Sequence, residues 1–145
     1  MLRGTPNNWT PVNTPPGSRG TILVVDDDAL VRTLAARALA DAGFDVLQAA
    51  DARTALGLVQ DALGRELCLV ITDIVMPGMH GDELGRLLRH TRPTLPVLYM
   101  SGYSRPHLDF LSPDALPQCW LQKPFSPDDL VRKAQALCEP VQSPH

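Results

Sequence analysis

The chain has 145 residues, a length that suits one domain with a sizeable hydrophobic core. Its formal net charge is −3 and no basic stripe runs along it, so we expect no direct binding to nucleic acid. It has neither an apolar run approaching about 20 residues nor a charged start followed by an apolar core. The sequence therefore predicts no membrane span and no signal peptide.

The cysteines are odd in number and widely spaced, at Cys68, Cys119 and Cys138. This pattern fits neither a disulfide framework nor a zinc site, so we expect reduced, mostly buried thiols. Such thiols are typical of a cytoplasmic protein, and this is the predicted location.

The two ends of the chain differ in composition from its middle. Residues 1–20 contain four prolines and three glycines, which is typical of a flexible linker or tail and cannot form a core. We therefore expect one domain over 21–139, followed by a short C-terminal tail over 140–145.

Five short apolar runs predict buried β-strands. In chain order they are TILVV (21–25), FDVLQA (44–49), LCLVI (67–71), LPVLYM (95–100) and QCWLQ (118–122).

Helical spacing of apolar residues follows most of these runs. The first predicted helix begins after the acids at 26–28, the second after Asp51, the third after Gly81 and the fifth after Ser126. Ser126 is followed by Pro and two Asp, which is a strong helix start. Because 103–117 carries three prolines, the fourth predicted helix is expected to be short and weak.

This alternation predicts an α/β fold, a doubly wound five-stranded parallel sheet of flavodoxin-like order 2-1-3-4-5 with five helices. In such a sheet the carboxyl ends of the strands lie at one edge. The residues just past the central strands are Asp26, Asp27, Asp73, Ser101 and Lys123. We therefore expect these five side chains to converge.

Three carboxylates in one pocket repel one another. At an effective dielectric constant of about 20 and a separation of ~5 Å, each like-charged pair costs roughly 3 kcal/mol. A divalent ion with oxygen ligands, Mg²⁺, would offset this repulsion, and Lys123 supplies a second positive charge. A carboxylate nucleophile, a metal ion, an ammonium group and a hydroxyl suit phosphoryl transfer that ends in an aspartyl phosphate.

Four stretches of the chain resemble one known family. ILVVDDDALVR (22–32), TDIVMPGMHG (72–81), YMSGYS (99–104) and LQKPF (121–125) are similar to the motifs of response-regulator receiver domains of two-component signalling. Each stretch lies at a predicted strand end, and together they cover the predicted domain in the family's order.

The resemblance implies a role for each matching acidic residue. Asp73 resembles the phosphoacceptor, and Asp26 and Asp27 resemble the acidic pair that binds Mg²⁺, with Asp27 the more direct ligand. The backbone carbonyl of Val75 would be the third protein ligand of the metal.

The resemblance also implies a phosphate site and a switch. Ser101, Gly102 and Lys123 would contact the phosphate, and the Lys123–Pro124 bond would be cis. Trp120 stands where the family usually has Tyr or Phe. Ser101 and Trp120 would therefore form the switch, although the larger indole departs from the family pattern.

The implied partners are a histidine kinase or a histidine phosphotransfer protein, with a possible homodimer through the face of the fourth helix, fifth strand and fifth helix. The amino-acid sequence of the motifs favours the C-terminal receiver of a hybrid sensor histidine kinase over a stand-alone receiver.

Two alternative functions stay open. One is a pseudo-receiver that binds partners without phosphorylation. The other is a haloacid-dehalogenase-like phosphatase using Asp26, although the chain lacks that family's Gly-Thr pair and cap.

Overall fold

Five parallel strands form the centre of the molecule, as the apolar runs predict. The computed structural model describes residues 19–61, 67–75, 78, 81–102 and 120–138. The sheet order is β2-β1-β3-β4-β5, which confirms the predicted topology. The strands are β1 (Thr21–Val25), β2 (Asp45–Ala49), β3 (Leu67–Asp73), β4 (Val97–Ser101) and β5 (Trp120–Gln122).

Four helices are seen in the described residues: α1 (Ala29–Asp41), α2 (Ala52–Gln60), α3 (Gly81–Thr91) and α4 (Pro127–Cys138). The last of these, α4, is the predicted fifth helix. Ser126 caps this helix as predicted, because its Oγ accepts the backbone N–H of Asp129 at 3.0 Å. The predicted helix over 103–117 and both predicted tails, apart from residues 19–20, lie outside the described residues. No described helix is long and apolar enough to cross a membrane.

The helices cover both faces of the sheet. On one face α2 and α3 pack on the strands in a cluster that includes Leu23, Val70 and Tyr99. On the other face α1 and α4 enclose a second cluster that includes Ile71 and Leu130. The strands are thus buried on both sides, which explains why their sequences are almost continuously apolar.

Two strands extend further than the apolar pattern predicts. β3 continues to Asp73, which pairs in register with Met100, and β4 continues to Ser101, which pairs with Gln122. Asp73 and Ser101 are therefore the last residues of these strands, and the hydrogen bonds of the sheet hold them in place.

The expectation of reduced, separate cysteines is wrong for two of the three. Cys68 and Cys138 form a disulfide, with Cα atoms 5.1 Å apart. They are 70 residues apart in sequence, so only the packing of α4 against the sheet brings them together. Cys119 lies outside the described residues.

Candidate functional site

The loop after β1 directs its acids in different ways. Asp26 is fully buried, and its Oδ1 accepts the backbone N–H of Asp28 at 2.9 Å. Asp27 is exposed. The side chain of Asp28 accepts the N–H groups of Leu30 and Val31 and caps α1, so its role is structural.

Asp73 completes an acidic cluster with this loop. The residue is 8% exposed at the end of β3. One carboxylate oxygen of each of Asp26, Asp27 and Asp73 lies within 4.8 Å of the others. The predicted convergence of these three side chains at the carboxyl edge of the sheet is therefore seen in the structure.

Lys123 bridges two of the three acids. Its Nζ lies 2.9 Å from Asp26 Oδ2 and 3.4 Å from Asp73 Oδ1. The Lys123–Pro124 peptide bond is cis, as the resemblance implies. The backbone N–H of Lys123 donates to the carbonyl of Ser101 at 2.7 Å, which holds the ends of β4 and β5 together next to the cluster.

The titration of Asp73 reflects this crowded setting. Burial raises the pKa of Asp73 above its ordinary value of 3.8, and the charges of Asp26 and Asp27 raise it further. Lys123 acts in the opposite direction and offsets part of the rise. Burial lowers the pKa of Lys123, but its hydrogen bond to Asp26 and the charges of Asp73 and Asp26 outweigh this and leave that pKa raised.

The remaining predicted residues lie around the cluster. Ser101 is 1% exposed, whereas Gly102 is exposed and a Cβ there would meet nothing within 4 Å. Val75 is exposed, and the role of its carbonyl stays a prediction. Trp120 is half-buried against the α2–α3 side of the core, and its Nε1 is buried with no hydrogen-bond partner within the described ranges.

The sequence reasoning missed one residue of this region, Arg32. Its Nη1 donates to the carbonyl of Asp26 at 2.7 Å, and its Nε donates to Gln48 Oε1 at 3.3 Å. Arg32 therefore connects α1 and β2 to the acidic loop. The only signal was its place four residues after the cap Asp28, about one turn into α1, which brings its side chain back towards the loop.

The donor set fits a hard cation. Among the described residues, the three carboxylates outnumber the two cations beside them, Lys123 and Arg32, and all three offer oxygen ligands. Mg²⁺ is a hard cation and prefers oxygen ligands, whereas softer metals prefer other ligands. A partly open acidic cluster therefore suits Mg²⁺ better than a softer metal.

Two known proteins are similar to this chain over most of its length. The sensor kinase CckA of Brucella abortus is 35% identical over 119 residues, 82% of this chain and 12% of that protein. The DNA-binding transcriptional regulator NtrC of Rhizobium meliloti is 36% identical over 125 residues, 86% of this chain and 25% of that protein. The chain thus spans only a small part of the length of these relatives.

A solved structure is also similar to this chain. The receiver domain of the hybrid histidine kinase CckA superposes with a TM-score of 0.67 and 32% identity, over 83% of this chain and all of that one. The sequence profile of the response regulator receiver domain matches residues 22–135. This chain therefore belongs to the response regulator receiver domain family.

Proposed function

We propose that this receiver domain accepts a phosphoryl group on Asp73 from a phosphohistidine of a histidine kinase or a histidine phosphotransfer protein. The observation that carries the proposal is the convergence of Asp26, Asp27, Asp73 and Lys123 at one edge of the sheet. An oxygen of Asp73 attacks phosphorus, the N–P bond breaks, and the imidazole leaves and takes up a proton.

Exposure and hydrogen bonding favour Asp73 over Asp26 as the nucleophile. Asp26 is fully buried, and each of its carboxylate oxygens already accepts a hydrogen bond, from Asp28 N–H and from Lys123. Asp73 keeps 12% of its side-chain surface exposed, and its contact to Lys123 is longer. This argues against a phosphatase that uses Asp26 as its nucleophile.

Mg²⁺ is the proposed cofactor. Asp26, Asp27 and Asp73 would hold it, with the carbonyl of Val75 as the predicted further ligand. When bound, the ion offsets negative charge on the oxygens of the transferring group. Lys123 supplies a second cation at the same edge, where its ammonium group can move from Asp26 and Asp73 towards the phosphate.

Ser101 and Gly102 complete the proposed phosphate site. Ser101 ends β4 beside Lys123, and its hydroxyl is the proposed donor to the phosphate. The open space around Gly102 leaves room for the phosphate oxygens near that hydroxyl.

The surface beside the acidic edge suits docking of a phosphodonor protein. Leu30 and Leu34 of α1 are 67% and 55% exposed. A groove of about 600 Å³ runs between α1 and the start of α4, and Leu34, Phe125 and Lys123 are part of its lining. An apolar groove that reaches the acidic edge would take an amphipathic helix of the donor.

Phosphorylation by a small molecule tests the proposal directly. The chain is incubated with acetyl phosphate and Mg²⁺ and its intact mass is measured. We expect a gain of one phosphoryl group that is absent in Asp73→Asn and absent after chelation. Asp28→Asn is the matched control, because Asn also caps helices and the residue lies outside the cluster, so this variant should be labelled like wild type.

The outcomes of this experiment separate the alternatives. Labelling that persists in Asp73→Asn would reject the assignment of the phosphoacceptor. A chain that is never labelled, yet binds a partner kinase, would be a pseudo-receiver. The similarity to the receiver of a hybrid kinase supports a place within such a kinase. The chain is also similar to the regulator NtrC, which is a different kind of protein. The length of the native gene product therefore decides between the two settings.

A further inference from the structure

A pair of cysteines lies at the end of the sheet opposite the acidic cluster. Cys68 is near the start of β3, whereas Asp73 is its last residue, and Cys138 is the last residue of α4. Their Cα atoms are 5.1 Å apart and their sulfurs are in bonding contact. Disulfides require Cα separations of about 4.4–6.8 Å, so the backbone already holds both residues at a suitable distance.

A register shift directs Cys68 towards α4. Thr21 pairs with Leu67 and Ile22 pairs with Leu69, so Cys68 has no partner in the β1 ladder. Because of this extra residue, both Cys68 and Leu69 belong to the α1–α4 side of the core, whereas Leu67 belongs to the other side. Extra residues of this kind commonly re-aim a side chain.

The partner residue is fixed by the packing of α4. Leu130, Ala134 and Cys138 are the buried residues of this helix and are spaced four apart, so they form one stripe against the sheet. Gly20 packs against the cysteine pair, since a Cβ at this position would lie 2.8 Å from Cys68 Sγ. The helix, the sheet and the segment before β1 therefore meet at this pair.

We propose that Cys68 and Cys138 are a reversible redox pair that exchanges with small-molecule thiols and disulfides. In the oxidised state the bond fastens the last turn of α4 to the start of β3. Cys68 is half-buried and Cys138 is 9% exposed, so a small disulfide reaches Cys68 first. The closed loop contains Asp73, Ser101 and Lys123, so oxidation constrains the part of the chain that carries most of the phosphate site.

The exchange proceeds in two balanced steps. The Cys68 thiolate attacks a sulfur of a small disulfide such as oxidised glutathione, forms a mixed disulfide and releases one glutathione thiolate. The Cys138 thiolate then attacks Cys68 Sγ and releases the second. Two electrons and two protons leave the protein thiols, and one disulfide is reduced to two thiols.

The test uses the full chain with Cys119→Ser, so that only the proposed pair remains. After equilibration with oxidised glutathione, we expect a mass lower by two hydrogens, a peptide crosslinked between positions 68 and 138, and a melting temperature higher by roughly 10 °C. Reduced glutathione should reverse all three changes. Hydrogen exchange in the last turn of α4 should be slower in the oxidised form.

Two variants keep the result interpretable. Cys68→Ser alters the more exposed partner, and Cys138→Ala leaves an apolar side chain in the core. Neither should gain stability from oxidised glutathione, and both should accept phosphate at Asp73 as the parent does. The proposal is overturned if both thiols remain alkylatable in oxidised glutathione, if Cys119 replaces either partner in the wild-type chain, or if reduced glutathione does not reopen the bond.

Discussion

Within the acidic cluster, Asp73 is a residue whose charged form the fold disfavours. Asp73 is held near two other carboxylates with Lys123 as the cation between them. Its pKa is raised chiefly by burial, which means that the folded state disfavours the charged form. For the proposed nucleophile Asp73, the charge that the reaction needs is thus one that folding disfavours.

We expect Asp73→Asn to stabilise the metal-free chain. Because the pKa of Asp73 is raised on folding, the folded state binds a proton more tightly, and stability is lost as pH rises from about 3.8 through the raised value. At pH 7 the free energy of unfolding of the variant should therefore be higher by an amount of order 1 kcal/mol, which raises its melting temperature. The gain should vanish near pH 3. Thermal melts at both pH values, with Asp28→Asn as the control, check this, and an equal gain at pH 3 would contradict it.

Lys123→Ala should slow phosphorylation and shift its pH dependence. The variant loses a charge-assisted contact worth about 1.5–3 kcal/mol, which corresponds to a rate roughly 10- to 100-fold lower. It also loses the cation that lowers the pKa of Asp73, so the rate should begin to fall at a higher pH than in wild type. Rates with acetyl phosphate across pH measure both effects.

Lys133→Ala is the matched control for this variant, since that lysine lies further along α4 and forms no ion pair with the acidic cluster among the described residues. Circular dichroism checks that each variant is folded, because the change at position 123 leaves the buried Asp26 without its ion pair. A pH profile identical to wild type would show that Lys123 does not act on Asp73.

The convergence of the site residues could be predicted from the sequence because each of them lies where an apolar run ends. Asp26, Asp73, Ser101 and Lys123 each lie at or directly after the carboxyl end of a buried strand, so the local pattern was sufficient to place them at one edge. Arg32 could not be predicted in the same way. Its contact to the carbonyl of Asp26 depends on where α1 lies relative to the loop, which local pattern does not encode.

At the scale of elements, the fit of α3 on β4 depends on a missing side chain. Tyr99 is 2% exposed, and its hydroxyl accepts a hydrogen bond from Arg89 Nη1 at 3.3 Å. A Cβ at Gly85 of α3 would lie 2.0 Å from that hydroxyl oxygen. The glycine therefore provides the space into which the phenol ring packs.

Gly85→Ala should lower the free energy of unfolding by about 1–3 kcal/mol, because overpacking forces the helix or the ring to move. Combination with Tyr99→Phe should recover part of this loss, since the nearest remaining ring atom is 3.0 Å away. Gly57→Ala in α2 is the matched control. A Cβ there meets nothing within 4 Å, so this change should stabilise by about 0.5–1 kcal/mol. Urea denaturation measures all three, and equal effects at both glycines would refute the packing argument.

The order of the strands followed from their apolar runs, but the path of β3 did not. LCLVI contains only apolar residues, so its sequence has no alternation that distinguishes one face of the sheet from the other. The register shift at Cys68 is a property of the pairing with β1. The disulfide depends on that shift and on the docking of α4, which explains why cysteine spacing predicted free thiols.

At the scale of the whole molecule, the sheet connects the proposed phosphate site at Ser101 to Trp120. Trp120 follows the undescribed segment 103–119, pairs in register with Tyr99 and packs on the α2–α3 side of the core. Ser101 pairs with Gln122 at the end of the same two strands and belongs to the acidic edge. The strand that ends in Ser101 is therefore paired directly with the strand that carries Trp120.

Beryllofluoride, a phosphate mimic, should act mainly on residues 103–117. Three prolines give this segment little helical propensity, so we expect its amide exchange to slow on binding. Trp120 fluorescence should change little, because the indole is larger than the usual Tyr and is already half-buried. Trp9→Phe isolates the signal, and Asp73→Asn is the control. A large inward burial of Trp120 with unchanged exchange over 103–117 would favour an ordinary aromatic switch.

Cys68, which has no partner in β1, also affects how a deletion in β3 would be tolerated. Leu67 pairs with Thr21 and Leu69 with Ile22, so the ladder to β1 already passes over position 68. A chain that lacked this one residue could form the same pairs without interruption and keep Asp73 in register with Met100. Position 68 is therefore a place where the strand can lose a residue without moving the acidic edge, at the cost of the crosslink and of the packing of Cys68 on the α1–α4 side of the core.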